Sequence, residues 1–209
     1  MVDIQTSIHG SRLGLSQTDE LVVNGKVVAE SPTAATQGAA PTVTGLKATV
    51  SGNGVLNKVT LSFTDVDVAM LDNAGTVAYA GLKVFDFAEG AVNILGAVAD
   101  LDVTKSSAGI NDTFDGDFGV GTVTASDNAT LATTEQNIIP TTATPQAAAG
   151  ATTANGQSTA GLILDGTTTA VDVFLNFLID DADHNVTGTP ANLILNGTLT
   201  FYFIALGDY

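Results

Sequence analysis

Apolar and hydroxyl-bearing residues alternate along most of this chain. Val59, Leu61 and Phe63 interleave with Thr60, Ser62 and Thr64, a period of two that sends the two sets to opposite faces of an extended strand. Similar runs lie at 43–50, 76–87, 91–103, 118–125, 161–164, 170–179 and 192–206, divided by Gly, Asn and Asp turns. About eight to nine such strands predict an antiparallel β-sandwich. Val171, Val173, Leu175, Phe177 and Ile179 fall on one face of their run, with Phe174 and Leu178 on the other, which predicts a central or interface strand. In the last run Leu199, Phe201 and Phe203 oppose Tyr202. The 3.6-residue helical period is missing from every long segment, so helix is expected only as a turn or two near 129–136.

Three segments depart from this rhythm. Residues 1–30 read as an arm and hairpin: Asn24-Gly25 between Leu21-Val22-Val23 and Lys26-Val27-Val28 is the pair that a tight type I′ turn requires. So short a hairpin cannot bury its apolar residues alone, so it is expected to pack on the main domain or on another chain. Residues 31–41, bracketed by Pro32 and Pro41 and lacking large apolar side chains, read as a linker, and 42–209 as the sandwich domain. Residues 141–158, built from Thr, Ala, Gly, Gln, Asn and Pro, read as a long surface loop, either free or docked on a neighbour.

Charge narrows the function classes. The 209 residues hold 22 acidic and 6 basic side chains, so 6 − 22 = −16, a field that repels phosphate backbones and anionic lipid heads. Neither nucleic acid nor a membrane is therefore an expected partner. Zero cysteines exclude disulfides, thiolate zinc sites and thiol nucleophiles. With 44% apolar and only 13% charged residues the chain has a core, and most of its acidity is expected in turns at 65–72, 112–117 and 180–183. No basic, apolar leader follows Met1, and the longest apolar stretches, 173–179 and 201–206, fall far short of the roughly 20 residues of a membrane helix. A soluble protein made in a cytoplasm is expected, so the Asn-x-Thr sequons at Asn111, Asn128, Asn185 and Asn196 carry no weight.

Catalytic constellations are sparse. His9 and His184 are the two histidines a serine triad would have to use, and the sequence has no Gly-x-Ser-x-Gly elbow. Gly119-Val120-Gly121 reads as a glycine-rich strand and not a phosphate loop. Carboxylates pair at Asp65 and Asp67, Asp100 and Asp102, Asp115 and Asp117, and Asp180, Asp181 and Asp183. A glycosidase would need two of them across a cleft, and a sugar platform would fall to Tyr79, Tyr202 or Tyr209. Asp181, Asp183 and Asn185 have the spacing of alternate oxygen ligands for Ca²⁺, yet Val186 and Asn192 stand where an EF-hand loop has Gly and Glu. Such a Ca²⁺ site would have to borrow ligands from another loop; the competing reading is an acidic hairpin turn. The same two readings apply to Asp112, Asp115 and Asp117. No other cofactor and no enzymatic activity is expected.

Ser7-Ile8-His9-Gly10-Ser11-Arg12-Leu13-Gly14-Leu15, followed by Leu21-Val22-Val23-Asn24-Gly25, resembles the N-terminal arms of tailed-bacteriophage virion proteins. In the body the likeness is carried by Asp67-Val68-Ala69-Met70-Leu71-Asp72-Asn73-Ala74-Gly75, Gly81-Leu82-Lys83-Val84-Phe85-Asp86-Phe87, Ala99-Asp100-Leu101-Asp102-Val103-Thr104-Lys105-Ser106 and Thr134-Glu135-Gln136-Asn137-Ile138-Ile139-Pro140. The resemblance implies a capsid decoration, or cement, protein: an all-β, jelly-roll-like sandwich with an extended N-terminal arm, forming a homotrimer on the capsid exterior and partnering the major capsid protein. It implies no catalytic residues. Ile8, Arg12, Leu13, Leu15, Leu21 and Val23 are then the expected capsid or subunit contacts, with Arg12, the one arginine, aimed at a carboxylate. The alternative is a glycan- or host-binding virion module.

Overall fold

The computed structural model describes residues 5–8, 11–15, 21–23, 26–29, 37–52, 56–73, 77–111, 114, 116–144, 152–157, 161–179 and 191–207. All-β architecture is what they show: three antiparallel sheets and a 3-10 turn, η1 (Thr133–Glu135), inside the segment where a helical turn is expected. β1 (Gln5–Ile8), β2 (Ser11–Leu15), β3 (Leu21–Val23) and β4 (Lys26–Ala29) pair in chain order as a sheet of their own. Val23 stands opposite Lys26, so Asn24-Gly25 joins β3 to β4 as the sequence predicts. The stretch before it, expected as an extended arm, supplies two more strands, with Ile8 opposite Ser11.

The body has two sheets. Sheet I holds β6 (Leu46–Gly52), β7 (Leu56–Ala69), β10 (Ala91–Lys105), β13 (Thr152–Gln157), β14 (Leu162–Leu164) and β16 (Asn192–Gly207), in the order β13-β10-β16-β7-β6 with β14 also on β10. Sheet II holds β5 (Gly38–Ala39), β8 (Leu71–Asn73), β9 (Val77–Phe87), β11 (Gly116–Gly121), β12 (Ile139–Thr144) and β15 (Asp172–Ile179), in the order β12-β11-β15-β9-β5 with β8 also on β9. The pairings nest: β7 with β16, β9 with β15, β10 with β13 and β14, β11 with β12. The chain is therefore one ribbon folded back on itself between β11 and β12 and passed repeatedly from one sheet to the other.

Alternation explains the core. Leu199, Phe201 and Phe203 of β16 and Phe85 and Phe87 of β9 are buried between the layers, and Phe87 meets Phe85 and Phe203 edge to face at 5.1 Å each. β15 lies centrally, between β11 and β9, in agreement with its two apolar faces.

Three expectations are corrected. The loop at 141–158 contains most of β12 and all of β13, edge strands whose threonines are held by backbone pairing that leaves no apolar pattern; of β12 only Ile139 and Thr144 are buried. The linker ends early, because Gln37 is buried and β5 pairs Gly38 with Phe87. The acidity is not confined to turns: Asp65 and Asp67 lie in β7, Asp100 and Asp102 in β10, Asp117 in β11 and Asp172 in β15, since an outward strand face accepts a carboxylate as readily as a turn does.

Candidate interaction surfaces

The N-terminal sheet holds all six expected contact residues, in its first three strands. By register Leu13 stands opposite Thr6 and Val23, Leu15 opposite Leu21, Ile8 opposite Ser11 and Arg12 opposite Ser7.

The outer face of sheet II is covered by its own chain. Residues 122–138 lie across β11, β15 and β9, and Asn176 of β15, fully buried, pins them: its carbonyl accepts from the Ala125 N–H at 2.8 Å while its amide donates to the Val123 and Glu135 carbonyls at 2.9 and 2.7 Å. Glu135, 3% exposed, takes hydrogen bonds from the Ser126 hydroxyl at 2.7 Å and the Ala132 N–H at 2.6 Å. Ala125 and Leu131 of this strap and Val77 and Leu178 of the sheet form a second small core between them, with Tyr79 against it. Gly121 is required for the approach, because a Cβ there would collide with the Thr134 carbonyl oxygen and Glu135 backbone. A polar residue on the outward side of the otherwise two-sided apolar run 171–179 was the signal for Asn176, and no reading of the sequence singled it out.

Over much of its area the outer face of sheet I is exposed and graded. At one end Ile163, Asn93, Ile204 and Leu56 stand in one row across β14, β10, β16 and β7, with Ile163 64% and Leu56 48% exposed. Beyond come the row of Gly96, Tyr202 and Lys58, and then that of Val98, Thr200 and Thr60. Open space lies above Gly96, and the Asn93 Oδ1 is buried without a hydrogen-bond partner. At the other end Asp100 stands opposite Thr198 and Asp102 opposite Asn196. Asp65, in the left-handed region at φ 50°, gives its N–H to the Asn196 Oδ1 at 2.9 Å, and the Asn192 amide donates to Asp67 at 2.8 Å.

Other candidates are less developed. Lys83 bridges Asp172 at 2.6 Å and Asp86 at 3.3 Å on sheet II; chiefly the Asp172 hydrogen bond raises its pKa above the usual 10.5, against desolvation, which lowers it. The Thr167 hydroxyl and N–H lower the pKa of Asp165. A cavity of about 290 Å³ is lined by Gln37, Glu89, Phe203 and Leu206, and an open one of about 420 Å³ by Ile163, Asp165 and Asp172. Asp181, Asp183 and Asn185 lie outside the described residues, as do His9, His184 and Tyr209. Among the described residues no three His, Asp or Glu side chains converge as metal ligands, and no helix is long and apolar enough to cross a membrane. Tyr79 belongs to the second core, and the Lys58 ammonium stands 5.8 Å from the Tyr202 ring centroid, so a sugar stacking on Tyr202 would share that ring with a cation. No family model matches this chain, and neither a curated protein nor a solved structure is significantly similar to it.

Proposed function

We propose that this chain is a bacteriophage virion protein of the capsid decoration type, which binds the outside of the head and stabilises it by bridging subunits through residues 1–30. The observation that carries this reading is the pairing of a large sandwich with a separate four-stranded sheet, β1 to β4, whose strands hold Ile8, Arg12, Leu13, Leu15, Leu21 and Val23. In this reading that sheet packs on a neighbour, and Arg12 offers a fork of donors to a carboxylate of the major capsid protein. We read the body as a jelly roll: the nested pairing of β7 with β16, β9 with β15, β10 with β13 and β14, and β11 with β12 supports that wrapping. A homotrimer with its acidic strand faces outward repels like particles and DNA, in keeping with the charge of −16.

Co-sedimentation with expanded heads tests the reading. Deleting residues 1–30 is expected to abolish binding while the cooperative unfolding of the sandwich persists. Normal decoration by the truncated protein would remove the bridging mechanism.

A further inference from the structure

We infer that the cavity between the 88–90 turn and the bulged ends of β10 and β16 is a binding site for a primary alkylammonium group, with the Gln37 Oε1 and the Glu89 carboxylate as its acceptors. The inference goes beyond the decoration reading, since it concerns a small cationic group and none of the residues of β1 to β4.

The backbone builds the cavity. Ala91 of β10 stands opposite Gly207 and Val92 opposite Ala205, so Leu206 is an extra residue of β16, a bulge at which the two strands leave their regular pairing. The adjoining turn is fixed at both ends: the Ala88 N–H donates to the Gln37 carbonyl at 3.3 Å and the Gly90 N–H to the Gly166 carbonyl at 2.9 Å. Gly90 has φ 127°, a conformation that favours glycine. Walls held in this way enclose about 290 Å³ between Gln37, Glu89, Val92, Phe203 and Leu206.

The unmet polar demand at those walls is for a donor. Gln37 is 8% exposed, and its Oε1 is buried with no hydrogen-bond partner among the described residues. An acceptor left in that state costs stability that a ligand N–H restores. Glu89, which is exposed, brings a carboxylate to the same cavity, and the lining residues include no Lys or Arg to answer it. A carboxylate or phosphate ligand would meet two acceptors and a net charge of −16, whereas an ammonium offers three donors and the opposite charge. Val92, Phe203 and Leu206 give the alkyl chain an apolar wall.

The test uses the full-length protein and no heads, so its result stands apart from that of the decoration experiment. Butylammonium chloride and Nα-acetyl-lysine methylamide carry the same group, free in one and on a peptide unit in the other, and sodium butyrate is the control of opposite charge. Titration is followed by NMR of the Gln37 side-chain amide and the Ala88 and Gly90 N–H groups. Saturable shifts are expected with at least one amine, with a dissociation constant on the order of 1 mM, and none with butyrate. Tighter binding of butylammonium assigns the site to a free amine, and tighter binding of the lysine derivative to a lysine side chain of a partner protein. Silence from both amines, or equal binding of butyrate, overturns the inference. Gln37→Leu is expected to weaken amine binding about tenfold while leaving the melting temperature unchanged or raised, because it removes an unpartnered buried acceptor. Glu89→Gln, at an exposed position, guards against a folding defect at position 37 and should weaken binding about threefold. An unchanged affinity in either variant rejects the assignment of the acceptors.

Discussion

The two outer faces of the sandwich solve the same problem in opposite ways. Sheet II closes its face with its own residues 122–138, at the cost of a buried asparagine, a buried glutamate and a glycine where the backbones touch. Much of sheet I's face stays open, with apolar side chains at one end and carboxylates at the other. The contrast teaches that covering a strand face is a demanding act: every backbone group trapped beneath must find a partner, and Asn176 supplies three of those partnerships. A face without such a pin is left for another chain or for water.

The comparison can be broken at its strongest point first. Asn176→Ala would strand the Ala125 N–H and the Val123 and Glu135 carbonyls, and a loss of about 3–5 kcal/mol in urea unfolding is expected. Hydrogen exchange should then rise in 122–138 before any other part of the body; an equal rise everywhere would mean that Asn176 does not pin the strap in particular. Gly121→Ala forces a methyl into the Thr134–Glu135 backbone and should cost about 2 kcal/mol. A neutral result would show that the strap floats above β11.

Smaller effects belong to exposed groups. Lys83→Met should cost no more than about 1 kcal/mol near neutrality, because all three partners are more than a third exposed and solvent screens them. The sign of its pH dependence follows from a folded-state pKa raised above the ordinary 10.5. The ion pairs contribute fully below that value and fade as the pH climbs through the folded-state pKa, so wild type and variant should converge once the pH has passed it. A gap that persists there would assign the loss to packing of the lysine stem. Ile163→Asp should change monomer stability by less than about 0.5 kcal/mol, the opposite outcome to a carboxylate placed at Leu131, a buried residue of the strap. A large loss at Ile163 would show that its face is already covered within the chain.

Much of the fold was legible because burial writes itself into a period of two. Val59, Leu61 and Phe63 in β7, Leu199, Phe201 and Phe203 in β16, and the two-sided run of β15 appear in the structure as the pattern reads. β12 and β13 were not legible, since edge strands rich in threonine are held by main-chain hydrogen bonds, and β12 buries only Ile139 and Thr144. Of the expected contacts, the apolar five were readable as apolar, but which residues stand opposite them, Thr6 and Val23 across from Leu13 for example, depends on the pairing of β1, β2 and β3. Leu56 lies more than a hundred residues from both Ile163 and Ile204, and nothing local in any of the three segments announces a shared row.

Alone, the sequence determined an all-β chain with a core, no thiol chemistry and a charge of −16, because composition and period act residue by residue. Tertiary structure decided which strands became neighbours, and with that which carboxylates left the turns for a strand face, which asparagine became a pin and which apolar residues stayed outside. The physical reason is that register and layer order are set by long-range pairing, in which each residue's surroundings are supplied by segments far along the chain.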